Sequence, residues 1–316
     1  MNKKTMVITQ QHVWRFGYGS NIGLTTLQQK KNLNPSKYLP GIIKGWELYF
    51  TKGIPHVEPG WAAVRPSLHS QLHGSAFCIP KDEADGLDRQ EAGYDVLSCQ
   101  FVAYNGEVVE DVGLYVPKKR NNNNNNEKTQ QGSQKQEEDG IPSLRYLRLL
   151  QNGAKEAPLS QEWQNFINSF EYYVTPPEIR SQTEKWIKEF HSNEDLRNTK
   201  WTSDVLSKYD GSNPNFPIHT SIMEYIVSIP DGLWVFPSWK GHNVTRRNLL
   251  QFRGKSLDTN DIRFGEEGYR PFPLLHQCSD EEKEFIMQNL DSILHRGGKI
   301  VGILQDFLDD QKDLPN

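Results

Sequence analysis

Residues 94–117 read YDVLSCQFVAYNGEVVEDVGLYVP. Two runs rich in β-branched and aromatic residues flank Asn105-Gly106, a pair that marks a tight hairpin turn. The segment commits the chain to antiparallel sheet. HVWRFGYG (12–19) reads as a buried strand ending in a glycine turn, and GIIKGWELYF (41–50) and LHGSAFCIP (72–80) read as further strands. SNIGLTTLQQKKN (20–32) reads as a short helix. So does PKDEADGLDRQEAG (80–93), with acids early and a glycine at its end. PSLRYLRLLQNGAKE, SQEWQNFINSF and PPEIRSQTEKWIKEF then follow as helices.

Residues 117–141, PKKRNNNNNNEKTQQGSQKQEEDGI, have too little apolar area to fold alone and read as a disordered surface insert. A polar stretch at 191–217 reads as a linker. A second region, 218–316, follows it, giving an expected first domain over 1–190. In the second region SIMEYIVSI and GLWVF read as strands, and NVTRRNLLQFRG as a helix. SDEEKEFIMQNLDSILHRGG reads as a helix with Ser279 and Glu282 as a capping box and Gly297 past its last turn. KIVGILQDFLDD is expected to continue as another helix.

Net charge is −4 over 316 residues, with no global basic footprint, so no nucleic-acid partner is expected. The three cysteines, Cys78, Cys99 and Cys278, are far apart, which argues against a disulfide framework or a cysteine zinc site. The first residues, MNKKTMVITQQ, lack an apolar leader, and no apolar run approaches the ~18 residues of a membrane span. A cytoplasmic protein without a membrane partner is the expectation.

FRGKS (252–256) resembles the end of a phosphate-binding loop, but Leu249 stands where that loop needs a glycine. His69 and His73 have ligand-like spacing without a third ligand, so no metal site is assigned. Glu91 stands beside Ala92 and Gly93 just before a strand, where a carboxylate can point into a cavity over a sheet. YGSN (18–21) ends a strand in a concave turn whose backbone N–H groups suit a carboxylate or a developing oxyanion.

Together these stretches carry a resemblance. FGYGSNIGL, LDRQEAGY and SLRYLRLLQNGAKEAPLSQEW occur in that order. The chain resembles the γ-glutamylcyclotransferase family over about residues 12–190, minus the insert. Asn21 in YGSN and the GAKE run are similar to the branch proper rather than to the glutathione-degrading ChaC branch. The resemblance implies an α+β fold: a mixed β-sheet closing into a small barrel with helices around it, and the pocket at its mouth. The C-terminal region is then an α/β extension of unknown fold.

The implied activity is cyclisation of γ-glutamyl amino acids to 5-oxoproline with release of the free amino acid, and no cofactor is implied. Glu91 would be the general acid/base. Tyr18, Gly19 and Ser20 would hold the γ-glutamyl moiety, Arg15, Phe16 and Gly17 would line the approach, and Tyr146 would contact substrate. Asn21, Tyr94 and Tyr115 are further candidates. The expected partner is a small γ-glutamyl substrate, with a homodimer left open. The open alternatives are action on γ-glutamyl amines or glutathione, and a non-enzymatic binding protein that reuses the fold.

Overall fold

The computed structural model describes residues 11–54, 58–118, 139–233, 235, 239–245, 248–249 and 275–312. The chain divides into two compact units, Met1–Gly53 with Pro59–Tyr172, and Ile54–Glu58 with Tyr173–Asn316.

In the first unit β1 (His12–Gly17) precedes α1 (Leu24–Lys31). Two long strands, β2 (Lys37–Ile54) and β3 (Glu58–Pro80), lead into α2 (Lys81–Gln90), and then come β4 (Tyr94–Ala103) and β5 (Val108–Pro117). The strands close into a barrel in the order β1-β3-β2-β4-β5. β1 runs antiparallel to β3, from His12↔Pro80 to Gly17↔Ser75, and parallel to β5 at Trp14↔Val112 through Phe16↔Leu114. β4 and β5 form the expected hairpin, with Gly106 at φ 90° in its turn. Phe16, Phe77, Phe101, Ile79 and Leu114 are fully buried in this unit's core. The expected mixed sheet closed into a small barrel with helices is present.

Two helices of this unit follow, α3 (Leu144–Glu156) and α4 (Gln161–Asn168). Ser143 caps α3 by accepting from the Tyr146 N–H at 3.1 Å, and Ser160 caps α4 from Trp163 at 3.3 Å. α3 buries Leu147, Leu150 and Ala154 at helical spacing, with Tyr146 and Gly153.

The second unit contains α5 (Pro177–Ser192), α6 (Glu194–Asn198), β6 (Lys200–Trp201), α7 (Ser203–Leu206), β7 (Ile218–Ile222), β8 (Tyr225–Ile229), α8 (Asp280–His295), β9 (Lys299–Leu304) and α9 (Gln305–Lys312). Its sheet has the order β6-β9-β8-β7. The capping box is made as expected: Glu282 N–H donates to Ser279 Oγ at 3.2 Å, and Ser279 N–H to Glu282 Oε2 at 2.9 Å. Arg180 of α5 binds Glu284 and the buried Asp291 of α8 at 2.8 and 2.9 Å.

Several expectations need correction. The 191–217 stretch is not a linker. Trp201 and Leu206 are buried with Ile226, Leu304 and Phe307, so the polar run carries two core residues and a strand of the sheet. The units divide at Tyr172/Tyr173 rather than near residue 190, because α5 packs with the second unit through Phe190 and Arg180. KIVGIL is strand, not helix. It pairs with β8, alternates buried positions at Ile300, Gly302 and Leu304, and only QDFLDD continues as helix. SIMEYIVSI is a hairpin rather than one strand, turning at Met223 with φ 52°. Most of the Asn-rich insert, all of FRGKS, and parts of GLWVF and NVTRRNLLQFRG lie outside the described residues.

Candidate active site

Helix α2 delivers the carboxylate. Ala84, Leu87, Asp88 and Glu91 fall three and four residues apart, so they share one face. Ala84 and Leu87 are buried in the core, and Glu91 terminates the helix as its C-cap residue at φ −91°, ψ 35°. The face is fixed by an ion pair. Arg15 of β1 donates to both Asp88 oxygens, Nε to Oδ1 at 3.0 Å and Nη2 to Oδ2 at 2.7 Å. Tyr115 OH donates to Asp88 Oδ1 at 2.6 Å. Burial alone would raise the Asp88 carboxyl, but the bonds from Arg15 and Tyr115 outweigh it and hold the group below the usual carboxylate range.

The strand β1 delivers the loop. At Gly17 the chain folds back so closely that an added Cβ would stand 2.1 Å from the Asn21 carbonyl oxygen. Ile22 N–H closes the turn onto Gly19 O at 3.2 Å. The Ile22 carbonyl is anchored by the hydroxyls of Ser75, at 2.7 Å, and Tyr38. Glu156 of α3, the last residue of the GAKE run, accepts from Thr25 N–H and Oγ1, both at 2.7 Å. It thereby caps α1, whose N-cap residue is Gly23 and has no side chain for the task.

Loop and carboxylate meet at one hollow. Asn21 Nδ2 donates to Glu91 Oε1 at 3.2 Å, and Lys31 Nζ lies 3.3 Å from the same oxygen. The hollow is lined by Phe16 through Asn21, Ala62, Glu91, Tyr94, Tyr115 and Tyr146. Two of these tyrosines meet the Ala62 backbone: Ala62 N–H donates to Tyr146 Oη at 3.3 Å, and Tyr94 OH donates to Ala62 O at 3.2 Å. Gly19 lies against the same group, where a Cβ would be 3.2 Å from Tyr146 Oη. Burial, with Glu91 nearby, pushes Tyr94 up to about 12, so its hydroxyl stays protonated and able to donate.

The hollow collects Phe16, Gly17, Tyr18, Gly19, Ser20, Asn21, Glu91, Tyr94, Tyr115 and Tyr146 from four separate stretches of sequence. It does not collect Arg15, whose guanidinium is taken by Asp88 and the Trp14 carbonyl. Two tyrosine hydroxyls are also committed, Tyr18 to the Tyr115 carbonyl at 2.7 Å and Tyr115 to Asp88. Sequence reasoning missed Lys31, Ala62, Asp88 and Glu156. The LDRQE run containing Asp88 and the GAKE run ending in Glu156 carried a signal; Lys31 and Ala62 carried none.

A larger cleft, about 640 Å³, is lined by Tyr49, Phe50, Arg65, Trp163 and Phe170 among others. Arg65 there is already engaged by two carboxylates, Glu47 and, at 3.0 Å, Asp139. His73 stacks on Trp163 with 4.8 Å between ring centroids and bonds Tyr104 Oη at 2.6 Å, a packing role. Among the described residues there is no group of three or more His, Cys, Asp or Glu side chains that could hold a metal ion, and no helix is long and apolar enough to cross a membrane.

A closed barrel with a glycine loop and a carboxylate at one hollow is the arrangement that the resemblance implies. The chain is also similar to a curated relative, γ-glutamyl cyclotransferase gliK of Aspergillus fumigatus (strain ATCC MYA-4609 / CBS 101355 / FGSC A1100 / Af293). It is 23% identical to that protein over 211 residues, which is 58% of this chain and 71% of gliK. The resemblance to γ-glutamylcyclotransferases thus rests on overall similarity as well as on motifs.

No family model matches. Solved structures with similarity include a γ-glutamyl cyclotransferase at 21% identity, TM-score 0.42, covering 55% of this chain and 99% of that one. Another is a glutathione-specific γ-glutamyl cyclotransferase from yeast at 15% identity, TM-score 0.32, covering 50% and 96%.

Proposed function

We propose that the hollow is the active site of a γ-glutamylcyclotransferase that converts γ-glutamyl amino acids to 5-oxoproline and the free amino acid. The observation that supports this reading best is the meeting of Glu91 with Asn21 of the YGSN loop, at 3.2 Å, on the wall of one hollow. The gliK similarity points to the same reaction class.

The chemistry needs one proton carrier and a rigid cradle. The substrate's α-ammonium gives a proton to Glu91, and the freed amine attacks the γ-carbonyl carbon. A C–N bond forms, closing the five-membered ring, and the C–N bond to the departing amine breaks. Two protons leave the α-nitrogen in all, and two arrive at the leaving nitrogen, carried by Glu91 acting first as base and then as acid. Both reacting groups belong to one molecule, so holding them in register supplies much of the acceleration. The Tyr18–Gly19–Ser20 backbone is assigned to the γ-glutamyl moiety and its developing oxyanion. Tyr146 and Tyr94, which meet the Ala62 backbone beside Gly19, are assigned to contacts with substrate. Arg15 acts at one remove, holding α2 through Asp88.

Release of 5-oxoproline from γ-glutamyl-alanine by the purified protein tests the reading. Release from glutathione or ε-(γ-glutamyl)-lysine alone would move the assignment to one of those substrates. Release from none of the three would leave the binding-protein reading.

A further inference from the structure

Lys31 is the last residue of α1, and the chain turns away at Asn32, which has φ 53°. Its ammonium lies 3.3 Å from Glu91 Oε1 and 3.1 Å from Gln90 Oε1. The side chains of Lys31 and Glu91 are 20% and 21% exposed, so the pair is partly buried. The neighbouring cations are differently engaged: Arg15 with Asp88, and Lys118 with the Ala92 carbonyl at 2.9 Å.

From this arrangement we propose that Lys31 is a specificity residue that recognises a carboxylate on the departing amine. The inference rests on the reaction assigned above. In the free site one cation and one anion balance. An incoming α-ammonium must approach the Glu91 carboxylate, whose Oε1 already serves Asn21 and Lys31, and so brings a second positive charge beside Lys31. The lysine stem is long and flexible and its head group is a compact point charge, so it can yield its place on Glu91. It then needs another anion, because a partly desolvated ammonium without a partner is costly. Glu91 must reach the leaving nitrogen to protonate it. In an α-amino acid the carboxylate is two bonds from that nitrogen, within the sweep of the Lys31 ammonium. A γ-glutamyl amino acid leaves every charge paired. A leaving amine without a carboxylate strands Lys31, which is discrimination by an unpaired charge.

The test compares kcat/KM for γ-glutamyl-alanine and γ-glutamyl-alaninamide in wild type, Lys31→Met, Lys31→Arg and Lys31→Glu. Comparing the ratio of the two substrates between variants cancels their different intrinsic reactivity and any general effect on Glu91. The ratio should fall by about tenfold in Lys31→Met, the loss of one charge-assisted contact. It should be kept in Lys31→Arg and fall further in Lys31→Glu, with every variant shown to be folded at the assay temperature by circular dichroism. An unchanged ratio in Lys31→Met and Lys31→Glu would overturn the inference while leaving the reaction standing. No 5-oxoproline from either substrate in wild type would overturn the reaction itself, and this inference with it.

Discussion

Asn21 Nδ2 donates to Glu91 Oε1 at 3.2 Å, joining a loop residue and a helix terminus seventy positions apart. Asn21 is 7% exposed, and its own Oδ1 is buried without a hydrogen-bond partner. The bond to Glu91 therefore orients the amide, with its donor towards the carboxylate. The YGSN loop and Glu91 at the end of α2 are thus joined directly.

Asn21→Ala should lower kcat by about 10- to 100-fold, the value of one hydrogen bond to a charged group, with a smaller change in KM. Asn21→Asp should lower it further, because it sets a like charge beside Glu91. Steady-state kinetics on γ-glutamyl-alanine decides this. An unchanged kcat in Asn21→Ala would show that the contact does not position Glu91.

Gly17→Ala should cost more than about 2 kcal/mol of stability, because its Cβ would meet the Asn21 carbonyl oxygen at 2.1 Å and backbone must move. Gly93→Ala serves as the control. Nothing lies within 4 Å of its added Cβ, and the change should stay within about 0.5 kcal/mol. Urea denaturation of both variants makes the comparison, and equal midpoints would contradict the tight turn.

Glu156→Ala should cost about 1 kcal/mol, since Glu156 supplies the N-terminal cap that Gly23 lacks in α1. The amide hydrogen of Thr25 should exchange faster in the variant. Protection of Thr25 equal to wild type would mean that the cap is made by another group.

Asp88→Asn should destabilise the protein by about 2 kcal/mol at neutral pH by removing a partly buried, bidentate partner of Arg15. The Asp88 carboxyl is held below its ordinary value, so its contribution is complete above about pH 4 and is lost as pH falls through the lower folded-state value. The gap between wild type and variant, measured by urea denaturation, should be constant from neutral pH to about pH 5 and shrink below about pH 4. A gap that persists to the lowest pH would contradict the ion-pair account.

Much of the barrel was legible because its signals are local. Asn105-Gly106 marks the hairpin, and in the second unit Ser279 with Glu282 makes its capping box as written. What was misread depended on distant partners. KIVGIL becomes strand because β8 offers an edge beside it. The 191–217 stretch looks like linker because Trp201 and Leu206 are isolated among polar residues, and only the second sheet buries them. At the site, Glu91 and YGSN were legible in combination. The resemblance implies Arg15 on the approach, and nothing local in the sequence reports that Asp88, 73 positions away, takes its guanidinium. Lys31 was invisible because a Lys-Lys pair ending a short helix looks like any solvated turn. Ala62 was invisible because it contributes backbone, which no side-chain pattern reports.

Release of 5-oxoproline from γ-glutamyl-alanine by wild type and by Glu91→Gln, with thermal unfolding of both, tests the central assignment most directly. The account predicts release by wild type and a loss of at least about 100-fold in Glu91→Gln, the contribution of a positioned acid/base, with both proteins folded at the assay temperature. Wild-type-like release by a folded Glu91→Gln protein would contradict it.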